Sequence, residues 1–430
     1  MNSTKGVAGL GPLRRTVRTA VASAAFAAAG VCGAGVVVDD RLPGGNVKFE
    51  KISGDDVYVH QELRDTRYPW FYWKMRVTGA AGRRLVFFFT GSPAVGTRGA
   101  AVSRDRGESW SWTDSDTDDP RDGRTGDHAD DRTFSWRFGP GDDEVWFCQT
   151  IPYMQTDWEK FTARRGAGNG GDFSTNTLCL SRKGRPVECA RIGSGRRRIL
   201  LTARHHAAEA SASFVLEGLL DRALADDDVG RWLRGNAEIR VVPFVDKDGV
   251  EDGDQGKDRR PHDHNRDYST GDLPSIYPEI AAIREMTAAW TRGGSLSMMI
   301  DFHSPRFRGS WFRKDVSNEY IYQVGGQDRR NAAEQTRFGE IVERMLAGEK
   351  IYRAADDYAY GRGWNHAGNY GSRGLPSRRW AELTWPDIAL ATTFEIPFAN
   401  ARFMTLEPDD LRRFGGAIAA AVVVFFKTAR

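Results

Sequence analysis

Five of the eight histidines, His205, His206, His262, His264 and His303, fall within one hundred residues of each other. In Ala203-Arg204-His205-His206-Ala207-Ala208-Glu209, His206 and Glu209 stand three apart, so at a helix start both can be aimed at one ion. An imidazole and a carboxylate suit Zn²⁺, and one further ligand would leave a position open for water. A surface pair is the bland alternative. His303, in Ile300-Asp301-Phe302-His303-Ser304, closes an apolar run, and the carboxyl end of a strand is where α/β sheets place their sites. A hydrogen-bonded core histidine would look the same. In Asp263-His264-Asn265-Arg266-Asp267, Arg266 offers a fork for a carboxylate and Asn265 a donor beside it. Asp263 could accept a proton from a metal-bound imidazole, although the whole segment also reads as a solvated charged loop. Glu395 interrupts the apolar run Thr392 to Phe398. A buried carboxylate is costly without a role or a partner. Beside a metal-bound water it would be a general base, and elsewhere a salt-bridged structural acid.

These groups need a frame. Beyond about residue 150, strand-like runs alternate with helical ones. Arg198–Ala203, Glu238–Val245, Leu296–Phe302 and Ala389–Ile396 read as strands. Ala207–Ala223, Tyr277–Thr291, Phe338–Ala347 and Pro408–Lys427 read as helices. That order predicts an α/β fold with a mixed, largely parallel sheet and helices on both faces. Before residue 150 the pattern is all-β. Val57-Tyr58-Val59, Trp70-Phe71-Tyr72-Trp73, Leu85–Phe89 and Glu144–Phe147 are short apolar runs between turn residues, which predict a β-sandwich. The aromatic run at 70–73 is core or a binding platform. The expected organisation is a leader over 1–35, a β-sandwich over 36–150 and a catalytic domain over 151–430.

The chain has 430 residues, 40% apolar and 28% charged, as in an ordinary globular protein. Its formal charge, 61 − 58 = +3, gives no reason to expect a nucleic-acid partner. Four cysteines, Cys32, Cys148, Cys179 and Cys189, form no CxxC pair, which argues against a structural zinc site. Cys179 and Cys189 flank the turn-like Lys183-Gly184-Arg185-Pro186 and could face each other as a disulfide or remain reduced. Lys5, Arg14, Arg15 and Arg18 precede an Ala-rich run from Thr19 to Val38, the order of a signal peptide, and Arg14-Arg15 hints at the twin-arginine route. Export to the periplasm or medium is the expectation, with a cytoplasmic protein the alternative. No stretch is long and apolar enough for stable membrane insertion.

Together the motifs resemble the zinc metallocarboxypeptidases of the carboxypeptidase A type, closest in pattern to the cytosolic-carboxypeptidase-like branch. The likeness runs through Ala203–Ser213, Val241–Val250, Asn265-Arg266, Asp301-Phe302-His303 and Phe394-Glu395. Trp70–Trp73 and Pro152–Asp157 are similar to landmarks of the β-sandwich that precedes the catalytic domain in that branch. The resemblance implies that His206, Glu209 and His303 bind one Zn²⁺ per chain, with Asp263 behind His206. It implies that Asn265 and Arg266 grip the terminal carboxylate of a peptide or protein, and that Glu395 activates the attacking water. The family's carbonyl-polarising arginine has a blurred counterpart; Arg259 is the choice, with Lys257 and Arg260 as alternatives. Tyr370 and Tyr360 are candidates for its substrate-capping tyrosine. Arg378, Arg379 and Trp380 are candidates for selecting the terminal side chain.

The function this implies is hydrolysis of the C-terminal peptide bond of peptides or proteins by a zinc-activated water and a glutamate base. One alternative keeps the same core for an amidohydrolase, a deacylase, a peptidoglycan-peptide trimmer or a glutamate-trimming enzyme. Another is a non-catalytic binding module.

Overall fold

The computed structural model describes residues 35–113, 132–166, 171–306, 316–370, 374–402 and 404–428. The expected leader, including Cys32, lies outside the described residues except for Gly35.

Nine strands come first: β1 (Val37–Asp39), β2 (Lys48–Ser53), β3 (Asp56–His60), β4 (Lys74–Thr78), β5 (Arg84–Phe89), β6 (Ala101–Ser103), β7 (Ser111–Trp112), β8 (Thr133–Arg137) and β9 (Glu144–Cys148). They form two sheets, ordered β1-β4-β9-β6-β7 and β2-β3-β5-β8. Apolar residues alternate along these strands, so each sheet can bury one face. Val57, Val59, Leu85, Phe87, Phe89 and Phe134 of one sheet share a core with Met75, Val77, Val145 and Phe147 of the other. Phe87 and Phe134 stack with centroids 4.7 Å apart. The run Trp70–Trp73 is not a strand, because its backbone is satisfied by a side chain instead of a neighbouring strand. The Gln255 amide donates to the Tyr72 carbonyl at 2.8 Å and accepts from the Tyr72 N–H at 2.8 Å.

Then follow α1 (Gln155–Gly166), β10 (Phe173–Leu180), β11 (Pro186–Ile192), β12 (Arg197–Ala203), α2 (Ala210–Ala223), α3 (Asp228–Asn236), β13 (Ala237–Val242), α4 (Lys247–Asp252), α5 (Pro278–Trp290), β14 (Met298–His303), β15 (Tyr322–Gln323), α6 (Arg329–Met345), α7 (Ser377–Thr384), β16 (Leu390–Glu395) and α8 (Pro408–Lys427). The seven-stranded sheet runs β10-β11-β13-β12-β14-β16-β15. Its centre, β13-β12-β14-β16, is parallel, and the pairs toward both edges are antiparallel. The fold is therefore mixed α/β, with β14 buried along its whole length and β12 and β16 along most of theirs. Tyr72, Ala101 and Cys148 pack into the core around this sheet, and Val36–Arg430 is one compact unit.

The cysteine pair does not bridge. β10 and β11 do form the expected hairpin, but the register sets Cys179 against Val187 and Cys189 against Asn176, and both thiols are free. Two residues ten apart face each other only if the strands pair symmetrically about the midpoint between them, and this hairpin closes instead on Leu180 and Pro186, which already sets Cys179 against Val187. Among the described residues no helix is long and apolar enough to cross a membrane.

α2 and α8 cross where Gly218 meets the backbone of Arg412 and Gly415 meets that of Val215. A Cβ at either glycine would collide with the opposing backbone, which has no flexible end to swing away. Gly218→Val is therefore expected to lower stability by about 1–3 kcal/mol through overpacking, read as a fall in the thermal unfolding midpoint.

Candidate active site

Three parallel strands deliver the candidate residues from their carboxyl ends. β12 ends at Ala203, and Arg204 turns the chain in a left-handed conformation, φ 61°. The buried Arg204 guanidinium pins that turn, donating to the carbonyl of Tyr153 at 2.9 Å and to Ser213 Oγ at 3.2 Å. α2 begins three residues later than its apolar pattern suggests, with Glu209 as the N-cap residue. The Glu209 side chain makes no capping bond, so its carboxylate is left to point elsewhere. His303 ends β14, and Glu395, its registered partner, ends β16. Paired residues of parallel strands leave the sheet on the same face, so the imidazole and the carboxylate rise together.

The structure brings His206, Glu209 and His303 to one point. His206 Nδ1 is 3.0 Å from Glu209 Oε1 and 3.1 Å from His303 Nδ1. His303 Nδ1 is 2.8 Å from Glu209 Oε2. These atoms form a cluster that could hold a metal ion. A tetrahedron with arms of roughly 2.0 Å has edges of about 3.3 Å, close to these separations, so the donor set fits a small divalent cation. Burial opposes the charge of Glu209, but Lys257 and the two imidazoles hold its carboxyl well below the usual range. Burial likewise opposes protonation of His303, yet Asp301 and Glu209 hold it well above the ordinary imidazole value.

Asp301 is the residue that sequence reasoning passed over. Its Oδ2 lies 2.8 Å from His303 Nε2, while Oδ1 accepts from Thr202 Oγ1 at 2.8 Å and faces His205 Nδ1 at 2.9 Å. Ser377 Oγ also donates to it. The signal was present: residues two apart on a strand share a face, so Asp301 had to stand beside His303. A second cluster able to hold a metal, His205, Asp301 and His303, overlaps the first. There His205 Nε2 is already engaged by the Tyr268 hydroxyl at 2.8 Å, which marks a buried hydrogen-bond network.

Asp263, Asn265, Arg266, Glu395, Tyr370 and Arg378 line one cleft of about 500 Å³ with His206 and His303. Asp263 Oδ1 lies 3.8 Å from His206 Nε2, and Asp263 is held ionised against its burial by His206 and Arg266. Asn265 Nδ2 is 3.2 Å from His303 Nε2. Arg266 donates to the Asn265 carbonyl at 2.8 Å and lies over the Tyr370 ring. Glu395 reaches the cleft with Oε2 shielded from solvent and without a hydrogen-bond partner. Burial pushes its carboxyl up to about 7, with Lys257 opposing and Glu209 adding to the rise. Tyr370 lines the cleft, whereas Tyr360 is exposed and does not. Arg378 lines it and is paired with Glu382; Arg379 shares that partner from outside, and Trp380 belongs to the core.

Arg259 is not brought to the cleft. Its guanidinium is taken by three carboxylates, Asp65 at 2.9 Å, Asp246 at 2.9 Å and Asp254 at 3.0 Å, and it faces a separate pocket. A cation surrounded by that many acids is a structural pin. Lys257 does line the cleft, with Nζ 2.6 Å from Glu209 Oε1.

No family model matches the chain. An uncharacterized protein of Zymomonas mobilis is 30% identical over 222 residues, 49% of this chain and 54% of that protein. Cytosolic carboxypeptidase 2 of Xenopus tropicalis is 26% identical over 40% of this chain and 19% of its own length. Cytosolic carboxypeptidase 3 of the mouse is 25% identical over 48% of this chain and 21% of its own length. The chain thus spans about half of the first relative and about a fifth of the other two. Among solved structures, a metallo-carboxypeptidase from Burkholderia cenocepacia superposes with a TM-score of 0.71 at 19% identity, over 92% of this chain and 100% of that one. A metallo-carboxypeptidase from Pseudomonas aeruginosa, in complex with (2-guanidinoethylmercapto)succinic acid, gives 0.69 at 19%, over 91% and 99%. At such identity these two likenesses establish the fold.

Proposed function

We propose that this chain, which belongs to the zinc metallocarboxypeptidase family in its cytosolic-carboxypeptidase-like branch, hydrolyses the last peptide bond of peptides or proteins. The observation that carries the reading is a single cleft in which a two-imidazole, one-carboxylate cluster stands beside an unpartnered acid and a guanidinium. His206, Glu209 and His303 would hold one Zn²⁺, with Asp301 orienting His303 and Asp263 behind His206. Bound there, the ion would acidify water and polarise the scissile carbonyl.

The chain's own residues do the rest. Arg266 and Asn265 receive the substrate's terminal carboxylate, which restricts cleavage to chain ends. Glu395 takes the proton of the attacking water as the oxygen joins the carbonyl carbon. It returns that proton to the leaving nitrogen as the C–N bond breaks, yielding a free amino acid and a chain shortened by one residue. Its unpartnered oxygen is available for that transfer because the protein supplies no competing donor.

The substrate test compares a peptide library with the same peptides amidated at the C-terminus. Free peptides should lose their last residue at rates at least about a hundred-fold above their amidated copies, because amidation removes the charge that Arg266 receives. Equal cleavage of both sets would favour an amidohydrolase on the same core, and no turnover by a metal-loaded protein would favour a binding module. The relatives named cytosolic carboxypeptidases are consistent with the cytoplasmic alternative for this chain.

A further inference from the structure

We propose that a second pocket, which shares the Lys257–Arg266 segment with the cleft, binds a free acidic amino acid, with Glu279 receiving its ammonium and Arg67, Arg182 and Arg260 its two carboxylates. The pocket stands on its own geometry; that the protein itself releases a ligand of this class rests on the carboxypeptidase reading above.

The side chains from Lys257 to Arg266 are divided between two hollows. Lys257, Asp258, Asp263, Asn265 and Arg266 line the cleft. Arg259, Arg260 and His264 line a separate pocket of about 560 Å³. The rest of that pocket comes from the ends of distant elements: Arg64–Arg67 ahead of β4, Arg182 in the turn between β10 and β11, the start of α4, and Tyr277 and Glu279 at the start of α5. A hollow of this size suits a small molecule. None of its residues belongs to the metal-ligand cluster.

The charges in this pocket are unequally matched. Asp65, Asp246 and Asp254 are taken by Arg259, and Asp248 by Arg185 at 3.1 Å. Glu279 is the exception. It is 2% exposed, neither of its carboxylate oxygens accepts a hydrogen bond from a described residue, and its ion-pair neighbour among those residues is His264 Nε2 at 3.7 Å. His264 is equally buried, its Nδ1 also lacks a hydrogen-bond partner, and its ring stacks on Tyr277 with centroids 3.7 Å apart. A buried carboxylate in that state is costly until a donor reaches it. The same pocket holds three guanidiniums without a carboxylate partner among the described residues. Arg67 donates to the Asp258 carbonyl at 3.0 Å, Arg182 lies 4.5 Å from the centre of the Tyr277 ring, and Arg260 is exposed.

A simple anion would leave Glu279 unmatched, and a diamine would meet three cations. A molecule with one ammonium and two carboxylates answers both, and an acidic α-amino acid carries those groups on one short chain. Guanidiniums bind carboxylates through paired, charge-assisted hydrogen bonds, so three of them can hold two carboxylates. Release of the terminal residue from a chain that ends in an acidic side chain yields a molecule of this class.

The test is isothermal titration calorimetry on the full chain loaded with Zn²⁺. L-glutamate should bind the wild-type protein, and a site for it should remain in Arg266→Ala, which weakens any binding in the cleft. In that background Glu279→Gln should weaken L-glutamate at least about ten-fold and Arg260→Gln about three-fold or more, the scale of a hydrogen bond to a charged group. Glutarate keeps both carboxylates and lacks the ammonium. It should bind at least about ten-fold more weakly than L-glutamate, and Glu279→Gln should not weaken it further. Arg260→Gln removes an exposed side chain that has no partner among the described residues, so it tests the pocket without endangering the fold. L-glutamate should also raise the thermal unfolding midpoint of the wild type, and raise it less in Arg260→Gln. Loss of all L-glutamate binding in Arg266→Ala would place the ligand in the cleft alone and overturn the proposal. So would unchanged affinity in both Glu279→Gln and Arg260→Gln, or glutarate binding as tightly as L-glutamate. A wild type that binds L-glutamate in this pocket but releases no terminal residue from any peptide would defeat the carboxypeptidase reading and leave the site standing. An active wild type that binds L-glutamate only through Arg266 would defeat this proposal alone.

Discussion

Glu395→Gln should cut release of C-terminal residues by roughly 10²–10⁴-fold while leaving Zn²⁺ bound and peptide affinity within a few-fold of wild type, because general-base transfer contributes on that order. The amide keeps the shape and loses the base. Glu395 pairs with His303 across β14 and β16, and its Oε2 has no hydrogen-bond partner, so the substitution disturbs no protein contact made by that atom. The pH profile supplies a second reading. The base works only when ionised, so kcat/KM should rise with pH through its titration and level off above it. Burial pushes this carboxyl up to about 7 in the metal-free protein. A divalent cation nearby favours the ionised form, so the acidic limb of the loaded enzyme should lie below that value. In Glu395→Gln the limb should vanish from whatever rate remains. Full activity in that variant with metal still bound would remove the glutamate from the mechanism.

Much of this arrangement was legible in the residue order, and the limits have physical causes. The alternation of apolar runs and helical patterns located β12, β14, β16 and α8 because each is buried along a face with the period of its own geometry. His206, Glu209, His303 and Glu395 could be singled out because charged or metal-binding groups at the ends of apolar strands are costly without a use. Position in space was harder to read. Arg259, Arg260 and Lys257 are equally basic, and only the left-handed turn at Gly256 and the acids around Arg259 decide which one enters the cleft. Tertiary charge partners of that kind, drawn from Asp65 and Asp246, leave no periodic trace. The same holds for Trp70–Trp73, where a strand-like composition gives no strand, because Gln255, distant in sequence, occupies the hydrogen bonds of Tyr72. The hairpin that carries Cys179 and Cys189 does form, but its turn closes on Leu180 and Pro186, a register in which the two thiols do not meet, and that closure leaves no periodic trace.

Metal removal should have the other large effect. Chelation, or His303→Ala, is expected to lower activity at least about a thousand-fold, and readdition of Zn²⁺ should restore the chelated wild type but not the variant. The fold itself should survive. The ligand cluster stands at the rim of the sheet, outside the apolar clusters that fill the molecule, and without metal its charges are already balanced: Glu209 by Lys257 at 2.6 Å and by His303, His303 in turn by Asp301. Apo protein should therefore unfold cooperatively, with a midpoint that climbs as Zn²⁺ is added, since a ligand that binds only the folded state stabilises it by mass action. Asp301 gives the graded version of the experiment. It holds His303 Nε2 while Thr202 and Ser377 hold Asp301, so Asp301→Asn keeps the packing but weakens the partner that fixes the ring and raises its basicity. Affinity for Zn²⁺, measured by competition with a coloured chelator, should fall about 10–100-fold in that variant. An unchanged affinity would mean that the imidazole is held in place by its surroundings and that Asp301 serves the buried network of His205 and Tyr268 instead.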